Sequence, residues 1–181
     1  MKALASGLVI RDGVEADLDR IVGIYNASIP GRLATADTEP IAIESRRGWL
    51  RDRNRARHPL WVIEQHGRVI GWLSIGPFYG RAAYGATAEL GIYVDPAAQR
   101  AGAATALMHH AVAQAGDLGL NTYLAFVFAH NERSVALCEK FGFATWGRLP
   151  RVAVLDGVER DLLIMGLRLG HEHEQEQEGK A

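Results

Sequence analysis

ELGIYVDPAAQRAGAATALMHHAV, residues 89–112, changes its period half-way along. Up to Val94 the apolar residues alternate. Leu90, Ile92 and Val94 share one face, and Glu89, Gly91 and Tyr93 share the other, which predicts a strand over 87–94. Asp95-Pro96 ends it. From Gly102 to about Asp117 the stripe Ala103, Leu107, Ala111 and Ala115 has helical spacing. At the join stand Gln99, Arg100, Ala101, Gly102, Ala103, Ala104 and Thr105, a glycine among small side chains. A helix N-terminus leaves its first N–H groups unpaired and carries about half a positive charge. A phosphate or pyrophosphate can sit there if no side chain blocks it. Arg100 adds charge at the rim, and Thr105 adds a hydroxyl. A helix packed closely on a sheet through small residues would show the same spacing. The chain has neither GxxxxGK[ST] nor GxGxxG, so other phosphate loops match poorly.

Working outward, LVIR (8–11) reads as a first strand, and Val14 to about Ile29 as a helix ended by Pro30-Gly31. LATADTEP (33–40) is a loop. A second helix is predicted over about 40–56, before Pro59. Residues 60–65 and 68–76 read as a hairpin around His66-Gly67. PFYGRAAYGA (77–86) is a loop rich in glycine and aromatic residues. TYLAFVF (122–128) is a strand apolar enough to be covered on both faces. A short helix runs from Asn131 to about Lys140, with Gly142 as its C-cap. Residues 143–168 are two strands around an Asp156-Gly157 turn. Hairpins mixed with strand-helix-strand units predict an α/β protein with a mixed sheet and helices on its faces. No internal repeat is present.

The 181 residues suit one domain, over 1–169, followed by a polar and disordered tail over 170–181. Hydrophobic residues make up 48% and charged residues 23%, an ordinary soluble balance. Formal charge is −1, and the tail HEHEQEQEGK holds four of the 21 acids. The body therefore leans mildly toward anionic ligands, without the bias expected of a nucleic-acid or membrane binder. Cys138 is the single cysteine, so no intramolecular disulfide forms and a reducing compartment is expected. No apolar run approaches a membrane span, and the start carries no convincing signal peptide. The expected location is the cytoplasm.

The strand, the Pro and the Gln99–Ala104 turn together resemble the acetyl-coenzyme A signature of the GCN5-related N-acetyltransferase (GNAT) superfamily, with Ala in the last slot. NERSVALCEKFGF (131–143) resembles the superfamily's second signature. EADLDRIVGIYNASI (15–29), ATADTEP (34–40), RRGWL (46–50), residues 77–96 and residues 147–167 look like its phosphinothricin and methionine-sulfoximine acetyltransferase branch. The likeness covers residues 8–168. It implies a mostly antiparallel sheet with one splayed parallel pair, acetyl-CoA as the acetyl source, no metal, a small-molecule amine acceptor and a homodimer.

Acetyl transfer to an amine needs a base, because a free ammonium has a pKa of about 10. It also needs donors for an oxyanion and an exit for a thiolate. Glu89 is the candidate base, as the matching glutamate is in the branch; a carboxylate merely satisfied by Arg81 or a backbone amide is the plain alternative. The resemblance places the cofactor arm along Ile92, Tyr93 and Val94, with Gly91 or Tyr93 as the oxyanion donor. It adds cofactor contacts from Asn131, which is also a natural N-cap, and from Ser134. Cys138 is a departure: many members have Tyr there and this branch often has His, groups proposed to protonate the leaving thiolate. A small buried packing residue is the favoured reading of Cys138. Phe78, Tyr79, Arg81 and Tyr84 are the candidate acceptor contacts, with Arg81 suited to a carboxylate. Tyr25 and Asn26 are weaker candidates.

Six arginines within 46–57 make a solvated helix face more readily than a nucleic-acid patch. His109 and His110 point apart on a helix and do not have metal spacing. Other amine acceptors, such as an aminoglycoside, a polyamine or a protein N-terminus, stay open. So does a non-catalytic acetyl-CoA-binding module.

Overall fold

The computed structural model describes residues 2–3, 7–99 and 101–170. The expectation of a disordered tail falls, from residue 171 onward, outside the described residues. In chain order these residues form β1 (Lys2–Ala3), β2 (Leu8–Asp12), α1 (Leu18–Ser28), α2 (Glu44–Arg51), β3 (Leu60–Gln65), β4 (Arg68–Pro77), β5 (Thr87–Val94), α3 (Ala103–Gln114), β6 (Thr122–Phe128), α4 (Glu132–Lys140), β7 (Ala144–Leu155) and β8 (Val158–Arg168). One mixed sheet runs in the order β1-β2-β3-β4-β5-β6-β8-β7. Every neighbouring pair is antiparallel except β5 and β6.

Turn chemistry sets the two hairpins. His66 (φ 51°) and Gly67 (φ 74°) join β3 to β4, and Asp156 (φ 49°) and Gly157 (φ 80°) join β7 to β8. Two consecutive positive φ values are what a two-residue turn matched to strand twist requires. β3 is buried on both faces. Trp61 and Ile63 pack with Leu107, Met108 and Ala111 of α3, while Leu60 and Val62 pack with Leu18, Ile21 and Ile24 of α1. Ala103, Ala111 and Ala115 are small enough to bring α3 close to the sheet, where the Tyr123 hydroxyl donates to the Ala111 carbonyl at 2.9 Å. On the other face Trp72 Nε1 donates to the Ile21 carbonyl at 3.0 Å.

α2 is shorter than its sequence pattern. Both backbone groups of Ile41 are held by the Asn26 side chain, at 2.9 and 3.0 Å, so Ile41 cannot enter a helix. At the other end the Arg53 guanidinium donates to the carbonyls of His58, Pro59 and Ile75. That clamp turns the chain away after Asp52 and feeds it into β3.

Candidate active site

The parallel pair parts almost as soon as it forms. β5 and β6 register at Thr87↔Thr122, Ala88↔Tyr123 and Glu89↔Leu124, and then separate. β5 stays paired to β4 through Val94, and β6 to β8 through Phe128. Residues 90–94 therefore have an edge with no strand against it. Parity decides which backbone groups face that edge. The Ala86 carbonyl accepts from Asn121 and Thr122 on the β6 side, and Asp95 N–H donates to Ile70 on the β4 side. Backbone directions alternate along a strand. Leu90, Ile92 and Val94 thus turn their N–H and C=O groups into the gap. The N–H groups of Gly91 and Tyr93, the donors considered from the sequence, point toward β4 instead.

A cavity of about 290 Å³ fills the fork. Its walls include Glu89 to Tyr93 of β5, Ala125 to Phe128 of β6, Asn131, Ser134 and Cys138 of the α4 region, and Leu33 to Ala36 of the α1–α2 connection. Glu89 sits at the vertex, on the last paired residue of β5. Its side chain is open to the cavity and takes part in none of the described ion pairs. The surrounding protein strips part of its hydration, and this desolvation raises its carboxyl pKa. Tyr93 stacks on Trp72 at 4.5 Å and lies 4.9 Å from the Tyr25 ring, and burial raises its phenol pKa as well.

The 33–36 wall is fastened at both ends. The Tyr25 hydroxyl donates to Asp37 Oδ2 at 2.5 Å, which leaves its oxygen to accept from Thr35 Oγ1 at 2.6 Å. At the other end Asn131 Nδ2 donates to the Leu33 carbonyl at 3.0 Å, and His130 Nε2 lies 2.8 Å from the Arg32 carbonyl. Asn131 Oδ1 also accepts from Ser134 N–H, so the predicted N-cap is present. Tyr25 and Asn26 act here as fasteners of the connection.

The turn before α3 has the expected form. Gly102 is left-handed at φ 79° and as the N-cap brings no side-chain cap, and a Cβ on it would meet nothing within 4 Å among the described residues. The open face of Ala104 and Thr105 borders it, Ala103 is buried, and Gln99 accepts from Arg133 at 3.2 Å. Arg100 lies outside the described residues. The 78–84 loop is a separate cluster: Phe78 contacts Tyr79 at 4.3 Å and Tyr84 at 5.3 Å, Tyr79 is 76% exposed, and Arg81 is exposed. These four residues do not line the cavity in the fork.

The sequence pattern of the acetyltransferase (GNAT) family matches residues 18–143. The chain belongs to this family. YwnH of Bacillus subtilis (strain 168), provisionally named a phosphinothricin acetyltransferase, is 42% identical over 90% of this chain and 99% of its own. The L-methionine sulfoximine/L-methionine sulfone acetyltransferase of Pseudomonas aeruginosa is 29% identical over 88% of this chain and 94% of its own. The crystal structure of a GNAT-superfamily phosphinothricin acetyltransferase from Sinorhizobium meliloti, in complex with AcCoA, superimposes with a TM-score of 0.82 at 28% identity, covering 91% of this chain and 89% of that one.

This GNAT protein is an acetyl-CoA-dependent N-acetyltransferase, and its own geometry fits the cosubstrate. The open β5 edge offers an extended arm the backbone partners of a missing strand. The uncapped α3 turn offers amides to a diphosphate. Cys138 is 4% exposed, and burial pushes its thiol up to about 11. Sequence reasoning missed the 33–36 wall and the β6 and β8 wall residues Phe126 and Leu162. Only the strong apolarity of 122–128 hinted at any of them.

Proposed function

We propose that this acetyltransferase acetylates the primary amine of a small amino-acid-like acceptor of the phosphinothricin or methionine sulfoximine and sulfone type. Glu89 serves as the general base. The observation that carries the reading is the coincidence of the β5–β6 vertex with a partly desolvated carboxylate that forms no ion pair among the described residues. Bound acetyl-CoA supplies an activated acetyl thioester at this fork. Every other duty falls to the chain.

Glu89 takes the ammonium proton directly or through one water, and its raised pKa brings its basicity closer to that of the amine. The N–H groups of Leu90, Ile92 and Val94 orient the arm and offer an oxyanion donor. Gln99 to Thr105 hold the diphosphate, and Asn131 and Ser134 border the arm's other side. Cys138 is a poor acid for the departing sulfur. With its thiol near 11 it would give up a proton less readily than an ordinary thiol at about 8.5. Solvent or the proton taken by Glu89 serves that purpose.

The described cavity wall contains no lysine or arginine. The cation for an acceptor carboxylate therefore comes from outside that wall, and Arg81, on the loop that leads into β5 with Phe78, Tyr79 and Tyr84, is the candidate. The protein works in the cytoplasm, in keeping with its single cysteine and its cosubstrate. It works as a homodimer, because the edge strand β7 and its hairpin leave Trp146, Leu149, Val152, Val154 and Val158 exposed. Sedimentation at micromolar concentration should read twice the chain mass, and a single-chain mass would remove the dimer from the reading.

Glu89→Gln tests the base. The variant should fold normally and lose about 10²- to 10⁴-fold in kcat/KM. An unchanged rate between about pH 6 and pH 9 would reject Glu89 as base. An acceptor panel with thiol-release detection tests the substrate class. Faster turnover of aminoglycosides, polyamines or a peptide N-terminus than of any amino-acid-like amine would reject it.

A further inference from the structure

Outside the reaction centre, His130 is a half-buried polar side chain whose contacts reach the cavity wall. Its Nε2 lies 2.8 Å from the Arg32 carbonyl. A carbonyl only accepts, so Nε2 carries the hydrogen. Nδ1 is buried and has no hydrogen-bond partner among the described residues. The ring lies 5.5 Å from Phe128 of β6. His130 therefore sits between β6, which lines one side of the cavity, and the strap 32–37, which lines another.

The strap needs that hold. Arg32 is left-handed at φ 52°, a conformation that a non-glycine residue keeps only when its surroundings impose it. Its guanidinium pairs with Asp156 at 2.9 Å and reaches the Thr38 carbonyl at 3.0 Å. The next residue, Leu33, opens the wall that continues through Ala36. Asn131 holds the Leu33 carbonyl, but it also caps α4 and borders the cofactor side of the fork. His130 has no such second duty.

We propose that His130 is a positioning residue for the acceptor: its Nε2–H fixes the Arg32 carbonyl and thereby sets the Leu33–Ala36 wall of the acceptor cavity. This rests on the acceptor reading above for what binds there, but the strap's order can be read without any ligand. His130→Phe keeps a ring against Phe128 and removes the donor. His130→Gln places an amide N–H at the same bond count from the backbone.

Hydrogen exchange on the ligand-free protein should quicken at residues 33–37 in the Phe variant, stay unchanged in α3 and β6, and return toward the unmodified rate in the Gln variant. In steady state the Phe variant should raise the acceptor KM by about two- to tenfold, the worth of one neutral hydrogen bond. Its kcat and its calorimetric coenzyme A affinity should stay within about twofold, and Gln should restore KM. Asp156→Asn, on an exposed turn that tolerates change, should quicken the same five amides by a smaller amount. The proposal is overturned if strap exchange is unmoved in both the Phe and Asp156→Asn variants. It is equally overturned if Gln is as impaired as Phe, or if coenzyme A affinity falls as far as acceptor affinity. Should the acceptor panel fail on the unmodified protein while strap exchange behaves as stated, the acceptor class falls and the role of His130 in ordering the wall stands.

Discussion

Replacing Gly102 by alanine separates two jobs that one residue performs. Gly102 stands immediately before α3 at φ 79° and ψ 4°. An L-residue there puts its Cβ against its own backbone, a cost of about 1–2 kcal/mol. No steric cost with the described residues adds to it, because the added methyl would meet none of their atoms within 4 Å. For a chain of this length 1 kcal/mol moves the melting temperature by about 2–4 °C, so Gly102→Ala should melt about 2–8 °C lower. Gly102→Asn should fall between alanine and glycine, since asparagine visits the left-handed region more readily. Differential scanning calorimetry reads both. Coenzyme A titration then reads the second job. Strain present in both free and bound protein cancels from the binding constant. Affinity should therefore drop less than stability if the turn keeps its shape. Alanine melting within a degree of glycine, or asparagine melting below alanine, would refute the backbone account of this turn.

Two further perturbations probe other parts of the molecule. Cys138, with its thiol at about 11, should react with a disulfide reagent at neutral pH roughly a few hundredfold more slowly than the same thiol in urea, since only thiolate attacks; equal rates would show the thiol is neither buried nor shifted. Burial alone would raise the pKa of Asp17, but hydrogen bonds from Arg11 and from Val14 N–H outweigh it and hold the carboxyl below its ordinary value. A depressed folded pKa contributes stability above the unfolded value of about 3.9 and loses it as pH falls through the folded one. Asp17→Asn should cost about 2 kcal/mol in urea at neutral pH and flatten the acid limb of stability, whereas an acid limb as steep as before would place that pH dependence elsewhere.

Much of the fold was legible because local rules and tertiary demands agree. Alternation over 87–94, the apolar run 122–128 and the two turn pairs gave strand limits that the structure keeps within a residue or two. Each is settled by neighbours in the chain. The failures share a cause as well. α2 is trimmed by Asn26, fifteen residues from Ile41, and by Arg53 reaching Ile75. His130 and Asn131 hold carbonyls 98 residues away. No local pattern announces a side chain whose partner is a distant carbonyl. Which backbone amides face the open edge was not legible for a subtler reason. Alternation separates odd from even residues, but which set faces the cosubstrate depends on which neighbour β5 loses, and that is a fact of the sheet.

The vertex favours residue 89 over its neighbours 88 and 91 for the base proposed above. Ala88 is fully buried between β4 and β6, so a carboxylate there would have to shed its charge. Gly91 lies beyond the last β6 pairing, where one neighbour has gone and only β4 restrains the backbone. Glu89 has both neighbours, so its backbone is fixed, while its side chain opens into the space created one residue later. A fixed backbone and a carboxyl whose pKa is raised by desolvation suit proton transfer, since a base off by an ångström loses much of its effect. On the same proposal, the fork accommodates a cysteine at residue 138. If the base is well placed and the proton it takes can return to solvent through the open cavity, the fork needs no dedicated acid on α4. A buried cysteine can then occupy that place as packing.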